Sequence, residues 1–459
     1  MSHTSMRWAT VIWVCGLSGA ASAWADLYQA GKAYQRKDFA RAFELYRELA
    51  ELGHPEAQES LAVMYVNAEG LKRDNVLGYA WASMAIDNGA GEASRSIVAQ
   101  LEPHLTDGAR ARIAGLRAQF GNEALLRTLL PVEAGPKDWR KLPCKMVSPA
   151  NPDFYYPEHA RANHIRGMAL VQARIHPDGS ARNPTVWFSF PVGEFDQSSR
   201  AVALQSRYAS TASEAEPCTM LFKVKYSMPG SKSDLSDEAA KLKVLAEKGD
   251  PRSQMAFGIL LATAPEVHTE YNEGGFRWFL KAGQAGLPSG QYFVARHLEA
   301  GVGVEKDLVK ARRWFELAAK SQSPGSMVSL ANYELRQTGD AAARARGVDL
   351  LRRAADAKNW LAQFYLAALM AADSGAEWHD PKRALELIEE LNGGFDYDPA
   401  SFEIRAAAHA ALGNFHRAKF MQSRAIREAR HIHWDVTAMQ ERLASYQAGK
   451  PWNGELIEF

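Results

Sequence analysis

Gly301-Val-Gly-Val-Glu-Lys-Asp307, followed by Ala311 and Trp314, is the stretch on which the fold turns. An earlier stretch repeats it: Gly70-Leu-Lys-Arg-Asp74 leads to Ala80 and Trp81, and Asp and Trp are seven residues apart in both. Glycine permits a tight turn between two helices, and the aspartate caps the first N–H groups of the second. Alanines let the helices approach, and the tryptophan fills the gap between them. The phrase is one half of a helical hairpin, used twice.

Outward from Trp314 the same frame recurs. Trp278, Trp314 and Leu350 lie 36 residues apart, in Phe276-Arg-Trp-Phe-Leu-Lys-Ala, Arg312-Arg-Trp-Phe-Glu-Leu-Ala-Ala and Asp349-Leu-Leu-Arg-Arg-Ala-Ala. Pro251, Pro288 and Pro324 recur at 37 and 36 residues, each opening an apolar helical pattern at a position where proline is tolerated. A fixed period of this size predicts stacked helical pairs. Order and spacing together resemble the Sel-one-like subclass of tetratricopeptide repeats over residues 26–100 and 236–392. Ala406-Ala-Ala-His-Ala-Ala-Leu-Gly-Asn-Phe415 and Ala30-Gly-Lys-Ala-Tyr-Gln-Arg-Lys-Asp-Phe39 resemble ordinary tetratricopeptide units. The resemblance implies a solenoid whose concave face binds peptides or proteins, and no enzymatic activity.

Between the repeat blocks the hydrophobic period changes from helical to two. Prolines from Pro131 to Pro157 mark the approach, and Pro229-Gly230 marks the exit. Ala169, Val171, Ala173 and Ile175 alternate with Leu170, Gln172, Arg174 and His176 up to the turn Pro177-Asp178-Gly179, predicting a strand. Val186, Phe188 and Phe190 predict a second. Met220, Phe222, Val224, Tyr226 and Met228, opposite Lys223, Lys225 and Ser227, predict a third. Phe195 through Tyr208 reads as an amphipathic helix between the last two. Tyr156-Pro157-Glu-His-Ala160, Ile165-Arg-Gly167, Asp178-Gly179, Phe195-Asp196 and Ala201-Val202, in this order, resemble the C-terminal domain of TonB-type energy transducers. Two features depart from that family. Tyr208-Ala-Ser-Thr replaces the aromatic-x-Pro step that usually follows the helix, and the domain lies between repeats.

The resemblance implies contact with an outer-membrane receptor by strand addition. The third strand is the natural edge, with Lys223, Lys225 and Tyr226 as candidate partner-binding residues. The lysines either protect that edge from self-pairing or simply face solvent. A transducer also needs a membrane helix and a long proline-rich spacer, and neither is evident, so an auxiliary TonB-type transducer is the second reading.

The N-terminus supplies a compartment. Met1 to Ala25 has a weakly basic start, an apolar run interrupted by Gly16, Ser18, Gly19 and Ser22, and the small-x-small ending Ala23-Trp24-Ala25, as in a cleaved signal peptide. The expected location is the periplasm, with an inner-membrane anchor as the alternative if the segment is retained. Membrane association is expected only in that alternative. Cleavage removes Cys15 and leaves Cys144 and Cys218 as an even pair in an oxidising space, predicting a disulfide.

The expected division is a signal peptide (1–25), tetratricopeptide and Sel-one-like repeats (26–135), a TonB-like domain (140–229), Sel-one-like repeats (234–392) and a tetratricopeptide-like cap (396–459). The fold class is an all-α helical-repeat solenoid flanking a small α+β domain. Over 459 residues, 54 Lys and Arg meet 53 Asp and Glu, a net charge of +1 that disfavours nucleic acid as a partner. No nucleotide loop, nucleophile elbow or His-Glu-x-x-His helix is present, so no catalytic, cofactor or metal site is expected. His431-Ile-His433 reads as a solvated helix end, since a metal needs more ligands than these two imidazoles. Asp396-Tyr-Asp398 fits a cation site or a turn equally well. Arg312-Arg313 and Arg352-Arg353 fall on repeat helices, where arginine stems commonly cover apolar surface. The leading expectation is a non-enzymatic envelope protein that binds a protein or peptide. An envelope enzyme with an unrecognised site stands third.

Overall fold

The computed structural model describes residues 26–134, 144–190, 193–210, 218–226, 236–263, 274–336, 339–391 and 398–457. The expected signal peptide with Cys15, the domain exit at Pro229-Gly230, Met228 and Asp396-Tyr397 lie outside them. The chain divides into two compact units, one from residues up to 136 with 234–322 and the other from 137–233 with 323–459. The block expected over 234–392 is thus shared between units.

In the first unit the repeated phrase folds as its spacing predicts. Asp74 accepts hydrogen bonds from the Val76 and Leu77 amides, both at 3.0 Å. Asp307 does the same for Val309 and Lys310, at 3.0 and 2.9 Å. The helix before each turn ends on a left-handed residue, Ala68 (φ 60°) or Gly301 (φ 67°). Trp81 and Trp314 are buried. Prolines 55, 251, 288, 324, 381 and 399 each start a helix. The helices Phe276–Gln284 and Pro288–Ala300 meet backbone to backbone, since a Cβ on Gly290 would stand 2.5 Å from the Gly283 nitrogen.

The 36-residue register is kept in its last copy, but the tryptophan position is less deeply buried there. Phe279, Phe315 and Leu351 are buried, as are Ala282, Ala318 and Ala354, whereas Leu350 is only half-buried. A leucine does not fill the tryptophan position, and its neighbour carries the packing.

Two sequence-distant parts of the first unit are joined through backbone carbonyls. Trp314 Nε1 donates to Leu129 O at 2.9 Å, Lys310 Nζ to Leu126 O at 2.7 Å and Arg313 Nη1 to Thr128 O at 2.6 Å. Leu129 follows the helix Asn122–Thr128, so these donors meet carbonyls that no further turn can satisfy. Val132 O accepts from Glu305 N at 2.9 Å, adding a short backbone bridge. Gln284 Nε2 reaches Leu52 O at 3.1 Å.

Among its described residues the second unit holds five strands: β1 (Cys144–Ser148), β2 (Gly167–Ile175), β3 (Ala181–Phe190), β4 (Arg207–Ser210) and β5 (Cys218–Tyr226). β2 is the centre of an antiparallel sheet of order β3-β2-β5, and β1 pairs with β4 in a separate two-stranded sheet. β5 runs along β2 in unbroken register from Gly167 opposite Tyr226 to Ile175 opposite Cys218. One face of β2, Ala169, Val171, Ala173 and Ile175, is fully buried. The helix Asp196–Gln205 and the turn Pro152–Tyr155 cover it at one end, and β1 and β4 at the other.

Three strands were expected and five are present among the described residues. β1 and β4 have five and four residues, with a bulge between Met146 and Ser148, so neither sustains an alternation. The helix expected to reach Tyr208 stops at Gln205. Ser206 turns extended, with its Oγ on Val202 O at 2.7 Å, and Tyr208 belongs to β4. β3 begins at Ala181, earlier than expected, and includes Pro184, which an edge strand tolerates.

The rest of the second unit is helical, from Pro324–Leu335 to Thr437–Gln447. Among the described residues no helix is long and apolar enough to cross a membrane.

Candidate binding surface

β5 ends its sheet, and among the described residues its only strand partner is β2. Antiparallel pairing leaves alternate N–H and C=O groups of such a strand directed outward. Lys225 is exposed at this edge and Lys223 is half-buried. Tyr226 is placed differently from the expectation. It is 2 % exposed, stacked on Phe195 at 4.3 Å between ring centres, edge-on to Tyr156, and hydrogen-bonded through its hydroxyl to Ser199 Oγ at 3.0 Å. Tyr226 is therefore a core residue, because the strand's alternation turns it toward the helix-covered face, and it leaves the candidate contact set.

The structure adds Phe154. It stands 83 % exposed on the turn Pro152–Tyr155, which packs beside β5. Its signal in the sequence was weak, one aromatic in a proline-bounded turn. At the other end of β5, Cys218 and Cys144 are joined in a disulfide with Cα atoms 6.0 Å apart, tying this end of the strand to β1.

The opposite edge strand, β3, is occupied. Asn183 Oδ1 accepts from the Tyr365 hydroxyl at 2.5 Å, and the Arg182 guanidinium lies 5.3 Å from the Trp434 ring. Close by, Arg200 and Asp398 form an ion pair in which both side chains are 2 % exposed. Arg200 also lies 5.1 Å from the Phe364 ring. Asp398 caps the helix Pro399–Ala411 through the Ala400 amide at 3.0 Å. Burial pushes the Asp196 carboxyl up, opposed by hydrogen bonds from Ser189 and Trp360. The α+β domain is thereby seated on the C-terminal helices of its own unit.

Sequence reasoning did not single out Arg200. Its signal was a charge beside Ala201, Val202 and Leu204 on a helix whose core face is buried. Asp398 was singled out as a turn or cation residue. Its carboxylate is a cap and an ion-pair partner.

A cavity of about 100 Å³ lies between Arg182, Arg200, Phe364, Trp434 and Arg442. Its arginines are engaged internally, Arg182 with Asp178, Arg200 with Asp398 and Arg442 with Glu403. His431 and His433 are exposed, and no group of three or more potential metal ligands occurs among the described residues. Arg312 pairs with Glu316 at 3.2 Å and Arg353 with Asp349 at 3.8 Å, which leaves these arginines on repeat surfaces.

The Sel1 repeat family matches residues 18–54, 55–89, 272–287 and 288–323, and the Gram-negative bacterial TonB protein C-terminal family matches 152–228. The chain thus carries Sel1 repeats and, between them, a region that matches the TonB C-terminal domain. Similar solved structures include a Sel1 repeat protein from Oxalobacter formigenes, 20 % identical, with 46 % of this chain and 89 % of that one covered at a TM-score of 0.34. Another is a protective antigen of uropathogenic Escherichia coli strains displaying an SLR fold, 16 % identical, covering 91 % and 84 % at 0.32. None of the curated proteins matches the sequence. The helices from Pro324 onward lie outside the matched residues.

Proposed function

We propose that this protein is a non-catalytic binding scaffold of the Gram-negative envelope, working in the periplasm after removal of residues 1–25. The outer edge of β5 takes an extended segment of a protein partner by strand addition. An outer-membrane receptor is the partner favoured by the TonB-like domain. The observation that carries the reading is the contrast in the small sheet, in which β3 is occupied and β5 ends the sheet beside exposed Lys225 and Phe154. Lysine at an edge discourages self-pairing while leaving main-chain groups available to a partner.

The test is a photo-reactive residue in place of Lys225 in growing cells, with the same residue at exposed Tyr28 as control. A discrete cross-linked protein is expected from position 225 alone. No product, or the same product from both positions, would reject strand addition. Sequencing the mature N-terminus checks the compartment, with Asp26 expected first.

A further inference from the structure

The whole chain carries a net charge of +1, yet the helix Phe415–His431 holds Arg417, Lys419, Arg424, Arg427 and Arg430 against Glu428. Its inner face is buried through Ala418, Gln422, Ala425, Ile426 and Ala429. Along the outer face His416, Phe420, Ser423, Arg427 and Arg430 follow at steps of four, three, four and three, which is one helical stripe, and all five are exposed. Exposed Arg417 and half-buried Lys419 flank it. Arg424 folds inward over the Phe402 ring at 4.2 Å and does not contribute. Arg427 contacts neighbouring Glu428 at 3.0 Å and remains largely in solvent. Between flanking Arg417 and Lys419 on one side and Arg427 and Arg430 on the other, Phe420 is 63 % exposed.

We propose that this stripe docks on an anionic lipid surface, with the helix lying along the headgroups. Two features select that occupant. Basic side chains spread along about 20 Å of helix, from Arg417 to Arg430, complement a plane of phosphates. An exposed phenyl ring within the row gains by leaving water for the headgroup–acyl boundary. An acidic peptide would pair the charges and give the ring no comparable environment. The bulk charge of the protein gave no reason to expect a membrane contact, because the positive charge is local. The inference stands apart from strand addition at β5, and either can fail alone.

The test is co-sedimentation of the full chain with vesicles of phosphatidylglycerol in phosphatidylcholine and with vesicles of phosphatidylcholine alone. Anionic vesicles are expected to bind the protein and to release it as salt rises. The triple charge reversal Arg417→Glu, Arg427→Glu, Arg430→Glu is expected to weaken binding about a hundredfold, and Phe420→Ser about tenfold. All four side chains are on the surface, so circular dichroism should be unchanged. The proposal is overturned if the wild type ignores anionic vesicles, if it binds both vesicle types equally, or if the triple variant binds like wild type. It is also overturned if polyglutamate, and not the vesicles, binds in a manner that the triple variant abolishes.

Discussion

The two units solve one problem, joining parts of the chain far apart in sequence, with different chemistry. In the first, side chains of the helix Leu308–Lys320 reach backbone carbonyls at the end of an earlier helix. Such carbonyls exist whatever the local side chains are, and each hydrogen bond contributes modestly. In the second, the joint includes a charged pair withdrawn from water, Arg200 with Asp398, beside the Tyr365–Asn183 hydrogen bond. A buried pair is costly to form and severe to break from one side. Carbonyl joints tolerate sequence change, whereas a buried ion pair makes a domain contact nearly all-or-none.

The largest expected effect comes from breaking that pair. Arg200→Met leaves Asp398 buried and uncompensated and is expected to cost about 3–5 kcal/mol in denaturant unfolding. Replacing both residues together should restore much of the loss. A single-variant cost below about 1 kcal/mol, the level of a surface pair, would place the joint's strength elsewhere.

Removing the disulfide tests whether the second unit has a further staple. Cys144→Ser with Cys218→Ser opens a link of sequence separation 74. The chain-entropy relation gives a loss of about 4 kcal/mol. Among described residues the first unit has no cysteine, so reduction should shift the second unit's unfolding alone.

Acid should act on the first unit. Burial lowers the His297 pKa from 6.5 to about 4, with its Nδ1 2.8 Å from Val302 O and Phe276 and Phe279 beside its ring. Between these values the unfolded chain binds a proton that the folded one does not. Stability is therefore complete above pH 6.5 and falls as pH drops toward 4, by about 3 kcal/mol. Burial lowers His54 of the same unit to about 4 as well, so His297→Gln should remove about half of the combined slope in unfolding measured across that range, and an unchanged slope would assign it to other groups.

The smallest effect compares the two copies of the repeated phrase. Asp74→Ala and Asp307→Ala should each cost about 1 kcal/mol, because each carboxylate accepts the same two amides. Unequal thermal shifts would show that equal cap geometry does not mean equal weight.

Legibility in the sequence followed the length of each pattern. The Asp-to-Trp spacing and the helix-opening prolines repeat often enough to expose the helical pairs and their caps. β2 and β5 are nine residues each and showed their alternation, whereas β1 and β4 are too short to do so. Cys144 and Cys218 were legible by parity. Tyr226 was legible as a core residue, since the alternation put it with Phe222 and Val224 opposite the lysines, and its place among the contact candidates ran against that alternation. Arg200 was not legible because its partner comes 198 positions later, and no local pattern announces a pairing at that range.

That separation has a consequence for how the chain assembles. The α+β domain holds its strands, helix and disulfide between residues 144 and 226, so its internal contacts do not require the helices from Pro399 onward. The Arg200 guanidinium and the Asp398 carboxylate leave water together, since burying a charge without compensation is prohibitively costly. Burial of that face of the domain is thus coupled to the placement of a carboxylate 198 positions further along the chain.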